Sequence, residues 1–550
     1  MSKRRVVPVV AWVVALVILA TACKSAKTGA PAATPTGGTF TVESMEPGSL
    51  DPPLASGSED ARVERNLFDG LVRYDDKTAA VTPAVATSWD TNSDNTKFTF
   101  HLRSGTKFSN GEDVTAESFV RGMTRSLTPK LYNDPNGLGY HLDGIKGAAD
   151  VSKGVTTTLT GAIARDKTTL EVDLSAPDAE FVVRTGHMPF LPLPSDAAMA
   201  AQKPSWSENP IGNGPFKMKE AWVHQQSITL VPNSTYYGTK PRVDQVLFKI
   251  FPDPDTSYLQ WQAGNLDWTR LPPAKIPEAK AQNPGNYIIQ DVGGINYLAT
   301  RYTLAPTSNK LFDQAISLSF DRQAISNAVF SGLNTPAAGI VPPLIPGSRS
   351  KGTSGPCKYC SYDPARAQAL FKQFKDGGGT VKEPFPMYFN AGAGHDAWMQ
   401  AIANQIQTTL GFKVQAIAAT SQFTGAESYT KFIGKDAPAS ANRLGWSLDY
   451  PTPDNFLYPL FSTGSPDNKA QYSNPTFDAL IKQARAEPDA TKRVKIYQQA
   501  EDIVLEDLPI IPVWWRTQIR LAKLNKWGGL GMDPYEDPTV RTVYLKAASS

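Results

Sequence analysis

Phe98-Thr99-Phe100-His101-Leu102-Arg103-Ser104-Gly105-Thr106-Lys107-Phe108-Ser109-Asn110-Gly111 opens with apolar and polar residues in alternation and then reaches Ser104-Gly105. A period of two puts one strand face in a core and the other in water, and a Ser-Gly pair favours the turn that ends it. The stretch predicts a strand over 98–102. Outward from it, Thr39–Val42, Leu170–Leu174, Ser227–Val231 and Val243–Ile250 read as further strands. Thr115 is an N-cap candidate for a helix carrying Phe119, Met123 and Leu127 on one face. Beyond Asp291 helices joined by strands take over. Asp363-Pro364 opens one helix with Ala367, Leu370, Phe371 and Phe374; Asn474-Pro475 opens another with Phe477, Leu480, Ile481 and Ala484. A third carries Ile496, Tyr497, Ala500, Ile503 and Val504. These stripes are core, and the interleaved elements predict an α/β architecture of several lobes.

The 550 residues suffice for two to four domains and a site between them. Lys and Arg number 55 against 52 Asp and Glu, and the surplus is Lys3, Arg4 and Arg5. The chain from residue 23 onward is thus balanced, which argues against nucleic-acid binding, where a basic excess must displace counterions.

Those three cations open a leader: an apolar run from Val6 to Ala20 follows, then small residues before Cys23. The run is shorter than the roughly 20 residues a membrane-spanning helix needs, so residues 1–22 read as a signal peptide. Ala20-Thr21-Ala22-Cys23 resembles the lipobox of bacterial lipoproteins, which implies a lipid on Cys23 and a membrane-anchored, extracytoplasmic protein. Residues 23–38, rich in Ala, Thr, Pro and Gly, read as the tether.

Catalytic patterns are missing. His101, His141, His187, His224 and His395 are far apart in sequence and none belongs to an H-E-x-x-H pattern. Neither a G-x-S-x-G elbow nor a phosphate loop occurs. No metal or cofactor is expected. Cys357 and Cys360 flank Lys358-Tyr359 in a Gly/Pro/Ser-rich stretch and read as a local disulfide. Zinc would need two more ligands, and a thioredoxin-like role a strand before the motif.

Several blocks together resemble the family 5 extracellular solute-binding proteins, the peptide and nickel type that serves ABC importers. They are Gly48–Pro52, Asn66–Val72, Pro83–Trp89, Phe100–Gly111, Gly212–Phe216, Phe320–Arg322, Tyr362–Pro364 and Gly445–Tyr450. The resemblance implies a two-lobed, type II periplasmic-binding-protein-like clamp with an extra domain inserted in lobe one. Lobe one would comprise 39–70, 186–290 and 516–550, the inserted domain 71–185, and lobe two 291–515. The hinge would lie near residues 290 and 515. A monomer that captures an oligopeptide by closure and passes it to a membrane permease, without enzymatic activity, is the implied function.

The resemblance also implies a site. The segment Arg443 to Tyr450 would be a strand lining the cleft, with Asp449 pairing with a peptide's α-ammonium. Physically, a desolvated ammonium requires an anionic partner. Arg443, six residues earlier on the same strand face and about 20 Å away, would meet the carboxylate. His395 would assist it, Trp446 would line a side-chain pocket beside Ser447 and Leu448, and Ser56-Gly57-Ser58 would bond the ligand main chain from the opposite lobe. Other readings stay open. Asp449 also fits as the cap of the Tyr450–Pro453 turn, Arg443 as a surface ion-pair residue, Trp446 as core and His395 as a loop histidine. The same fold could take a nickel chelate, a sugar or another small solute; a secreted hydrolase and a ligand-free surface module are the rival classes.

Overall fold

The computed structural model describes residues 36–134, 137–392, 394–419, 429–434 and 436–547. The leader, most of the tether and Cys23 lie outside them. Among the described residues no helix is long and apolar enough to cross a membrane.

Phe98, Phe100 and Leu102 are buried along Lys97–Leu102 while the residues between them are half-exposed. This strand is internal to a four-stranded antiparallel sheet, flanked by Ala86–Thr91 and Thr169–Asp173, with Ala162–Asp166 outermost. The main sheet has nine strands: β1 (Thr39–Ser44), β2 (Phe216–Met218), β3 (Ser227–Pro232), β4 (Gln245–Ile250), β5 (Trp268–Arg270), β6 (Tyr287–Thr300), β7 (Thr335–Pro336), β8 (Ala441–Ser447) and β9 (Ile510–Ala522). Its order is β8-β6-β9-β5-β1-β4-β3-β2, with β7 paired to β9. β1 runs parallel to β4 and β5; the other neighbours are antiparallel.

The helices that matter below are α1 (Ser58–Leu67), α2 (Ala116–Ser126), α3 (Pro364–Asp376), α4 (Asp396–Leu410), α5 (Pro475–Ala486) and α6 (Ala490–Asp507). Their starts follow local chemistry. Asp363 and Asn474 accept first-turn N–H groups ahead of prolines that have no N–H to lose, and Thr115 stands at the N-cap of α2 with its N–H donating to Ser118 Oγ at 3.2 Å.

Two large cores result. One gathers Phe40, Phe98, Phe119, Phe216 and Trp527; the other gathers Leu298, Phe312, Trp398, Tyr497 and Trp514. Burying one such ring removes enough apolar surface to contribute ~2–3 kcal/mol. The first core runs without a break through residues of both 71–185 and the flanking segments, so packing joins the four-stranded sheet firmly to its neighbours. β6 and β9 pass between the cores: Ile295 to Ala299 and Ile510 to Trp515 belong to the second, whereas Ile519 and Leu521 pack in a small third cluster beside the first. At that crossing the pairing slips. Asp291 faces Thr517 and Ile295 faces Trp515, so Val292, Gly293 and Gly294 stand opposite Arg516 alone. Cys357 and Cys360 are joined by a disulfide with a Cα separation of 5.5 Å.

Candidate ligand-binding site

Between the two cores lies a cavity of about 500 Å³, within the ~300–1,000 Å³ usual for small-molecule sites. Asp449, Ser447, Trp446, Arg443 and His395 line it from the second-core side, and Ser56, Gly57 and Ser58 from the start of α1. Leu448 does not. Its side chain is 2% exposed and packs in the second core, close over Gly293. The strand reading also needs correction at its end: β8 stops at Ser447, and Asp449 stands in the turn beyond it rather than on the same strand face as Arg443.

Asp449 is fixed by Asn455. Its backbone N–H donates to Asn455 Oδ1 (3.0 Å) and its Oδ2 accepts from Asn455 Nδ2 (2.9 Å). Four acids among the described residues line the cavity. Among the described residues, Glu59, Asp467 and Glu536 have a basic side chain at 3.8, 3.6 and 2.9 Å, and Asp449 has none within ion-pair distance. Burial without a cation pushes the Asp449 carboxyl up to about 7, against the smaller pull of Asn455.

Arg443 donates Nη1–H to Asn390 Oδ1 (3.2 Å) and Nη2–H to Asn296 Oδ1 (3.1 Å), which aims its guanidinium along the cavity wall. His395 precedes α4, and its Nδ1 accepts from Trp398 Nε1 at 3.2 Å. A neutral ring so bonded carries its proton on Nε2, ready to donate. Desolvation, then the nearby Arg443 and Arg516 charges, holds His395 well below the usual histidine range. The buried Trp446 Nε1 has no partner among the described residues, so the cavity wall offers an unspent donor.

The Ser56–Ser58 segment is less available than the resemblance implied. The Ser56 N–H donates to Leu54 O in the turn before α1, and the Gly57 N–H to Asp60 Oδ2 and the Ala61 N–H to Gly57 O form the first turn of α1. Tyr140 also lines the cavity and donates its hydroxyl to Asp467, joining the two sides of the cleft. Arg516 also lines the cavity, a residue that the sequence reading does not name. It lies over Gly294 and Gly445, where added Cβ atoms would come within 2.9 and 2.4 Å of it, and donates to Ser447 Oγ (2.8 Å) and Glu536 (2.9 Å).

Further contacts tie the walls together outside the cavity. Arg184 pairs with Asp178 and reaches Asp454 (3.4 Å), which Arg485 also holds (2.7 Å). Tyr497 donates to Glu180 (2.9 Å), Arg493 sits 3.2 Å from the same carboxylate, and the Ala179 N–H donates to Arg485 O (2.7 Å). The architecture is a two-lobed α/β clamp of the type II periplasmic-binding class, with its walls brought together.

Comparison with known proteins places the chain. Residues 80–468 match the family model for bacterial extracellular solute-binding proteins, family 5, and the chain belongs to that family. The probable deoxycholate-binding periplasmic protein YgiS of Escherichia coli strain K12 is 30% identical over 507 residues, 91% of this chain and 92% of that one. A Haemophilus influenzae OppA complex with the peptide RPPGFSPFR superposes with a TM-score of 0.80 at 26% identity, covering 94% of this chain and all of that one. The Escherichia coli murein tripeptide binding protein MppA gives 0.79 at 26% identity over 94% of this chain and 99% of its own. The unliganded open form of MppA, with the same identity and coverage, gives 0.69.

Proposed function

We propose that the protein is the extracytoplasmic binding component of an ABC importer. It captures an oligopeptide between the lobes and presents the closed complex to the membrane permease. The carrying observation is Asp449: a half-buried carboxylate at the cavity wall with a neutral amide for its partner and, among the described residues, no cation within ion-pair distance. Its desolvation cost is offset when a ligand brings the ammonium. Arg443, His395 Nε2 and Trp446 Nε1 offer donors to a carboxylate and to main-chain carbonyls. Reading backbone and termini leaves side chains unspecified, which suits a carrier of many sequences.

In this account lobe one is 39–70, 186–290 and 516–550, the inserted domain 71–185, lobe two 291–515, and the β6/β9 slip the hinge. The protein works as a monomer, performs no catalysis, and is tethered through a lipid on Cys23 at the outer face of the cytoplasmic membrane. Closure makes occupancy visible to the permease as shape.

The similarity to YgiS favours a second reading, a carboxylate-bearing amphiphile that uses Arg443 and leaves Asp449 idle. Native mass spectrometry of the purified protein, with sequencing of any mass released on denaturation, decides between them. Co-purifying peptides of a narrow length range support the proposal. A protein that carries no peptide and stays unshifted with a peptide library overturns it.

A further inference from the structure

His141 and His187 are 46 positions apart in sequence, yet their rings meet edge to face with centroids 4.7 Å apart. They are 7% and 6% exposed, and the Nε2 of each has no hydrogen-bond partner among the described residues. Two such buried polar atoms side by side are an unusual cost in a folded core. The third member of the group is Asp449. One donor atom from each of the three residues lies within 4.8 Å of the other two.

We infer that His141, His187 and Asp449 form a binding site for a divalent transition-metal ion of the zinc or nickel kind, built across the closed cleft. For donor atoms no more than 4.8 Å apart, some point lies no more than about 2.8 Å from all three. Ordinary side-chain rotation shortens that to the ~2.0–2.2 Å of Zn–N and Zn–O bonds. Two imidazoles and one carboxylate are the donor set of borderline ions, whereas calcium and magnesium require oxygen ligands throughout. Asn455 holds the Asp449 carboxylate through Oδ2, the orienting contact that ligating carboxylates commonly have.

The site spans the two cores. His141 and His187 precede Leu142 and Met188 of the first, and Asp449 follows Leu448 of the second. The ion would therefore bind the closed arrangement in preference to the open one and favour closure by that difference in affinity. It goes beyond the peptide reading, and it shares only Asp449 with it.

The test is calorimetric titration of ZnCl₂ and NiCl₂, without peptide, into ligand-stripped protein, with small-angle scattering at each end point. One ion per chain is expected to bind, with a smaller radius of gyration. His141→Gln, His187→Gln and Asp449→Asn should each weaken that event at least about tenfold. The exposed His224, beside Glu46 at 2.8 Å and Glu208 at 3.5 Å, is the competing surface set, and His224→Ala should leave the event unchanged. Each variant is first shown to melt cooperatively, and three substitutions at separate positions guard against misfolding of any one. Absence of a one-to-one event, its survival in all three variants, or its loss in His224→Ala would overturn the inference.

Discussion

Asn455 and Asp449 bond each other twice, the amide donating to the carboxylate at 2.9 Å and accepting the Asp449 backbone N–H at 3.0 Å. The pair closes the turn after β8 and at the same time sets the angle of the carboxylate. Hydrogen bonds to charged groups contribute ~1.5–3 kcal/mol, so Asn455→Ala should lower affinity for a free-amine tripeptide about tenfold or more. Isothermal titration measures this; unchanged affinity would show that the carboxylate needs no positioning.

Arg184 lines no part of the cavity, yet it bridges Asp178 of the first-core side to Asp454 of the second. Removing one member of a buried ionic group costs ~3–5 kcal/mol, and here part of that falls on the closed state alone. Arg184→Ala should weaken solute binding at least about tenfold. Scattering at saturating solute should then report a larger radius of gyration than wild type. An identical radius and affinity would mean that these contacts do not hold the closed form.

Gly445 gives Arg516 its place on the sheet. A methyl there would stand 2.4 Å from Nη2, too close for both to remain, so Gly445→Ala should displace the guanidinium from Ser447 and Glu536. The expected outcome is an unfolding midpoint close to wild type with clearly weaker solute binding; a variant that binds as wild type contradicts a role for Arg516 in shaping the site.

What the sequence disclosed is what neighbours along the chain decide. Alternation announced Lys97–Leu102, and capping residues with first-turn prolines announced α3 and α5. The cavity wall from Arg443 to Asp449 is legible through the family resemblance of Gly445–Tyr450 and not through periodicity. Leu448 stands an odd number of positions from Arg443 and Asp449, which a period of two sets on the opposite face, and its side chain packs in the second core. The donors of Ser56 and Gly57 are spent on local turns, a matter of geometry that residue types do not reveal. Contacts such as Tyr140 with Asp467, or His141 with His187, unite segments distant in the chain and leave no periodic trace; Gly293-Gly294 and Gly445 were the one visible sign of the bed in which Arg516 lies.

Glu64 of α1 is fully buried, and neither carboxyl oxygen has a partner among the described residues. Desolvation, with Asp60 and Asp51 near by and only Arg65 opposing, raises it well above 4.5. A carboxyl raised on folding stabilises fully below its unfolded pKa, and the contribution is lost as pH climbs toward the folded value. Wild type should therefore lose up to about 1.4 kcal/mol per pH unit from this group above pH ~5. Glu64→Gln should be free of that slope and gain on wild type in urea denaturation at pH 8 relative to pH 5; parallel pH profiles would contradict the burial of an unpartnered carboxyl.

In the proposed complex Asp449 receives the ligand's α-ammonium. Titration of one tripeptide with a free amine and the same tripeptide N-acetylated, into wild type and Asp449→Asn, tests it most directly. The account predicts that acetylation costs wild type at least about a hundredfold in affinity, that the substitution imposes a similar loss on the free-amine peptide, and that the two losses do not add. Equal affinity of wild type for both peptides, or undiminished binding of the free-amine peptide by Asp449→Asn, would contradict it.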